Sequence, residues 1–110
     1  MHFFITLDKA AEDPAVVKNG IDLISEERAK QINKGKTAEA DLTKNPKGQL
    51  SVAAGILAQK YIPKDVINSW APVGWDYDNW LQLLDKPYPE RLVIAGALIA
   101  AEIDRVTLLY

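Results

Sequence analysis

Residues 89–106, "PERLVIAGALIAAEIDRV", constrain the fold more than any other stretch of the chain. Between residues 92 and 101 there is no charge, and then Glu102, Asp104 and Arg105 arrive together. At about 100° per residue, Leu92, Ile99, Ile103 and Val106 share one helical stripe. Val93 lies about a quarter-turn to one side and Ile94 and Leu98 fall on the far side. Ala95, Gly96, Ala97, Ala100 and Ala101 fill the gaps and permit close backbone approach. A helix apolar on more than one face needs neighbours on several sides. A chain of 110 residues supplies few, so this segment is predicted to be the central helix of a bundle and a subunit interface, giving a dimer or higher oligomer.

The rest of the punctuation also predicts helices. "EDPAVVKNG" offers Asp13 as N-cap, Pro14 at the first helical position and an Asn-Gly stop. "IDLISEERAKQINKGK" runs to Gly35, a C-terminal stop, and the polar "KTAEADLTKN" reads as a loop or a single turn. Asn45 caps and Pro46 opens a helix through "KGQLSVAAGILAQKYI", with Gly48 and Gly55 inside it, that Pro63 ends. Asp78 caps "NWLQLLDK", and Pro87 and Pro89 bracket the entry to the last helix. Strand-like alternation is confined to the first few residues, so the expectation is all-α: one domain, 1–110, folded as a compact helical bundle of four to five helices.

Composition narrows the function classes. With 48% hydrophobic residues, 25% charged and a formal net charge of −2, the chain has no electrostatic grip on DNA or RNA. It has no cysteine, so thiolate chemistry and disulfides are absent, and a lone His2 leaves no nucleophile-base triad. There is no Gly-rich phosphate loop. "MHFFITL" lacks a basic leader and the charge-free run is about half a membrane span. A cytoplasmic protein without a membrane partner is expected.

Three helices direct polar groups where core is expected. Glu102 falls between Leu98 and Ile99, on the stripe of Ala95 and Arg91. On the preceding helix Ile21, Ile24 and Ile32 define the apolar stripe, with Arg28 and Gln31 inside it and Glu27 at its edge. Gln49 lines up with Ala53 and Ile56. Buried polar groups must find partners. One solution is an internal network in which Arg28 pairs with Glu102 and the glutamines fill the remaining sites. The other is a pocket in which Glu27, Glu102 and either Glu90 or Asp41 hold Mg2+, an ion that takes hard oxygen ligands. Lys34, Lys36, Lys44 and Lys47 surround the polar loop as a solvated rim or as phosphate contacts. In "WAPVGWDYDNW", Trp70, Trp75, Tyr77 and Trp80 either plug the bundle end or form a stacking wall for a nucleobase, with Asp76 or Asp78 on its polar edge.

The ordered series "EERAKQINKGKTAEAD", "GQLSVAAGILA", a tryptophan-rich loop and "ERLVIAGALIAAEIDRV", over roughly residues 23–107, resembles the phage-type dATP/dGTP pyrophosphohydrolases, relatives of the all-α MazG-like nucleotide pyrophosphatases. The resemblance implies an oligomeric MazG-like bundle that uses Mg2+ and carboxylates to split a purine deoxynucleoside triphosphate into monophosphate and pyrophosphate. Glu27 and Glu102 would be the catalytic acids, joined by Glu90 as metal ligands. Arg28, Gln31, Asp41, Trp75 and Trp80 would bind substrate. The chain departs from the pattern at Gln49, where the family's "GEL" element has glutamate, and at Arg91, where an aspartate often stands. A relative that binds nucleotide without cleaving it, or a helical oligomer without enzymatic activity, is the alternative.

Overall fold

The computed structural model describes residues 17–63 and 71–110, and these contain five helices and no strand. They are α1 (Gly20–Asn33), α2 (Ala38–Lys44), α3 (Gln49–Leu57), α4 (Tyr77–Leu84) and α5 (Tyr88–Thr107). The fold is an all-α bundle. The predicted helix starting at Asp13, and His2 and Trp70, lie outside the described residues. None of the described helices is long and apolar enough to cross a membrane.

Several boundaries differ from the sequence reading, each for a local reason. Asn19 begins α1 and does not end an earlier helix: its side chain accepts from the Asp22 N–H at 2.9 Å, while the Asp22 carboxylate accepts from the Asn19 N–H at 3.0 Å. This reciprocal capping box satisfies two otherwise orphaned donors. Gly35 stops α1 as expected, with φ 89°. Within "KTAEADLTKN", Ala38–Lys44 form a helix of about two turns rather than a loop or a single turn, because Thr37 Oγ1 accepts from the Ala40 N–H at 3.2 Å and Glu39 and Asp41 lie in the positive first turn.

Asn45 is the C-cap of α2 and not the N-cap of α3. A residue before proline is driven out of the α region, and Asn45 has φ −129° and ψ 51°. Helix α3 starts at Gln49 behind Gly48, which lies outside the helix with φ 77°. Asp76, not Asp78, caps α4, accepting from the Asn79 N–H at 2.9 Å.

Helix α3 ends at Leu57, well before Pro63, and Arg91 explains why the chain can unwind there. The residue is 6% exposed and its guanidinium donates to the carbonyls of Leu57 (2.9 Å), Gln59 (2.6 Å), Lys60 (3.2 Å) and Lys86 (3.0 Å). One α5 side chain thus takes up carbonyls that the helix end leaves open.

Helix α5 is the centre of the bundle and packs against α3, α1 and α2. Its buried face is Ile94, Ala95, Ala97, Leu98 and Ala101, set against Leu50, Ala53, Ala54 and Leu57 of α3, with Trp80 and Leu84 of α4 closing the core. Leu92, Ile99 and Ile103, on the other apolar stripe, are exposed. Alanines let the α3 and α5 backbones approach, and that contact turns Ile94 and Leu98 inward with them. Ile21 and Ile32 of α1 are exposed for a related reason, because α1 turns Arg28 and Gln31 inward. Gly96 marks where α1 crosses α5, since a Cβ there would lie 2.7 Å from Ile24 Cγ1.

Candidate functional site

The inward polar groups do bring elements together, but with partners other than those read from the wheel. Arg28, 8% exposed, donates from Nε (3.3 Å) and Nη2 (3.1 Å) to Asp104 Oδ2 and from Nη1 to the Lys36 carbonyl at 2.9 Å. Its carboxylate partner is Asp104 and not Glu102. Glu102 instead receives two hydrogen bonds from Arg105, one turn along α5. That contact holds the Glu102 carboxyl below its usual range, against the opposing pull of burial, and raises Arg105. Gln49, buried on α3, accepts from the Lys47 N–H at 2.7 Å and donates to the Val73 carbonyl at 3.3 Å. It pins the tryptophan-bearing loop to the start of α3.

That loop closes a cavity of about 470 Å³ between α1, α2, α4 and α5, within the size range of small-molecule sites. Arg28, Gln31, Asp41, Trp75 and Trp80, proposed from sequence as substrate-binding residues, all line it. Lys34, Lys36 and Lys44 also line it and are exposed at its mouth, whereas Lys47 does not line it. Trp75 and Trp80 meet edge to face, with ring centroids 5.8 Å apart and planes at 82°. These two rings plug the end of the bundle: Trp80, 1% exposed, belongs to the core cluster and Trp75 packs against it.

A hydrogen-bond relay stiffens one side of this wall. Trp75 Nε1 donates to Asn45 Oδ1 at 2.7 Å, and Asn45 Nδ2 donates to Asp41 Oδ1 at 2.8 Å. Asp41 is 4% exposed and lies within the electrostatic reach of Arg105, while its second oxygen, Oδ2, accepts no hydrogen bond and the buried Trp80 Nε1 donates none. Buried polar groups in that condition are rare and call for an explanation. Asn45 and Asp104 are the residues that sequence reasoning missed. The Asn45-Pro46 dipeptide carried a signal, because it predicts a chain turn that frees the asparagine side chain.

The three glutamates proposed as metal ligands do not gather. Among the described residues no three acids or histidines stand close enough to hold a metal ion. Glu90 is exposed on the first turn of α5, and Glu102 is engaged by Arg105. Glu27 lines an adjoining cavity of about 310 Å³ and pairs with Lys30 at 3.3 Å. The acids that line the larger cavity are Asp41 and Asp76. No family model, no curated protein and no solved structure matches the chain.

Proposed function

We propose that the cavity bounded by Arg28, Asp41 and Trp75 binds a purine deoxynucleoside triphosphate. One observation carries this reading: a single cavity combines an aromatic wall with a cationic mouth formed by Lys34, Lys36 and Lys44 beside the buried Arg28. Base-aromatic contacts suit any purine ring. Arg28 has five N–H donors and commits three to Asp104 and Lys36, so two remain for phosphate oxygens. Lys34, Lys36 and Lys44 add point charges beside it.

A resident Mg2+ cage of Glu27, Glu90 and Glu102 does not fit the donors found, and no step is routed through it. Mg2+ enters this reading as the ion carried by the triphosphate, which needs only one or two protein carboxylates and keeps several waters. The resemblance implies release of pyrophosphate; the separation of the three glutamates favours binding without cleavage. Calorimetric titration with dATP and dGTP in Mg2+, with pyrophosphate assayed in the same samples, tests both. Saturable heat with pyrophosphate extends the reading to a hydrolase, saturable heat alone identifies a binder, and no heat refutes the pocket.

Self-association belongs to the same reading. It is supported by Leu92, Ile99 and Ile103 standing exposed along one side of α5, with Ile21 exposed on the neighbouring α1.

A further inference from the structure

The smaller cavity, of about 310 Å³, shares Gln31, Lys34 and Lys36 with the larger one and adds Glu27, Lys30 and Lys86. Four lysines against one glutamate leave its lining with an excess of three positive charges, in a chain whose formal net charge is −2. Glu27, the one acid, is taken up by Lys30. Lys34, Lys36 and Lys86 form no ion pair among the described residues. A cleft lined by one sign of charge concentrates the opposite ion. Lys86 is half-buried and anchored at its root, where its N–H donates to the Leu83 carbonyl at 3.2 Å and its carbonyl accepts from Arg91 Nε at 3.0 Å.

Gln31 adds a hydrogen-bonding group where the two cavities meet. It is 7% exposed and lines both, three residues after Arg28 and three before Lys34. Its side-chain amide makes no hydrogen bond among the described residues. Neither amide atom is sealed, because the sealed and unpartnered side-chain atoms are Asp41 Oδ2 and Trp80 Nε1. A buried polar side chain without a partner costs free energy. An amide left open at the meeting point of two cavities is placed for a ligand.

We infer that the smaller cavity binds a multivalent oxyanion, such as a chain of phosphates, held by Lys34, Lys36 and Lys86 with the Gln31 amide NH2 donating at the junction. Ammonium groups serve oxyanions as point charges, and hydrogen bonds to an ionised acceptor are the strong ones. A single carboxylate would leave most of the excess charge unmatched. The buried Ile94 and Leu98 in the lining lower the local dielectric and strengthen the attraction. The site stands on its own charges and does not require a base in the larger cavity.

The probe is inorganic tripolyphosphate, titrated calorimetrically at low ionic strength into the parent, Lys86→Ala, Lys47→Ala and Gln31→Leu, with a thermal melt of each. The parent should bind saturably. Lys86→Ala should weaken binding about tenfold, the scale of one hydrogen bond to a charged group. Lys47→Ala removes the same charge from an exposed lysine that lines neither cavity, and it should stay within about twofold of the parent. Gln31→Leu should also weaken binding about tenfold yet melt no lower than the parent, because the amide it removes has no partner to lose. No saturable heat from the parent, or equal weakening by Lys86→Ala and Lys47→Ala, overturns the site. A lower melt for Gln31→Leu with binding unchanged overturns the role of its amide. Titration with dATP and Mg2+ separates this site from the nucleotide reading: a parent that binds tripolyphosphate but not dATP keeps the site and loses the nucleotide pocket, and the opposite pattern does the reverse.

Discussion

Glu102 grips Arg105 through both carboxylate oxygens, Oε1 to Nε at 2.7 Å and Oε2 to Nη2 at 2.9 Å, one turn apart on α5. The pair sits in the last turns of the central helix, where a cation complements the helix dipole. Because the Glu102 carboxyl is held below its ordinary value of 4.5, its contribution is fully present above that pH and is lost as pH falls through the lowered native value. Urea melts from pH 6 to pH 2.5 should show an acid-side loss of stability that is smaller in Glu102→Gln than in the parent. Parallel acid limbs in the two proteins would show that the pair contributes nothing.

Arg91 ties α5 to the unwound end of α3. Arg91→Ala should cost about 3 kcal/mol, because four carbonyls lose a charged donor and some stay buried. Arg91→Lys should recover less than half of that, since an ammonium cannot span the same fork of acceptors. Chemical denaturation measures both; a loss below about 0.5 kcal/mol for Arg91→Ala contradicts the clamp.

Gly96 should resist replacement although it lies mid-helix. Alanine there gains about 1 kcal/mol of helix propensity but forces α1 away through Ile24, at an overpacking cost of about 1–3 kcal/mol. A double-mutant cycle of Gly96→Ala with Ile24→Ala should show a favourable coupling of about 1 kcal/mol. Additive effects would mean that the helices do not meet at this point.

The exposed isoleucines bear on assembly. Each large side chain covered by a partner contributes roughly 1.5–3 kcal/mol, so sedimentation should find the parent at least dimeric at micromolar concentration. Ile103→Glu, on a residue 57% exposed here, should give a folded monomer. A parent that sediments as a monomer removes the proposal of self-association.

How legible the molecule was depends on the interaction involved. All-α character and the stop at Gly35 follow from local chemistry, which sequence records directly. Arg28, Gln31 and Gln49 were readable as buried polar groups because they interrupt apolar stripes. Their partners were not. The wheel shows α5 apolar on more than one face but not which face meets α3; close approach to Ala53 and Ala54 of α3 rotates Ile94, Ala95, Leu98 and Ala101 inward. That rotation put Asp104, not Glu102, within reach of Arg28. The relay through Asn45 escaped notice because it spans residues 41, 45 and 75, whose meeting depends on the loop closing over α2.

The most direct test of the nucleotide pocket is a proton-nitrogen correlation spectrum of the indole N–H groups of Trp75 and Trp80, assigned with Trp75→Phe and Trp80→Phe, recorded as dATP and Mg2+ are added. The account predicts saturable displacement of both signals with one midpoint. The Trp75 N–H, already bonded to Asn45, should respond mainly to the ring current of the base, and that of Trp80, buried in the core beside it, should follow with a smaller displacement. Indole signals that stay in place at millimolar dATP would contradict the account.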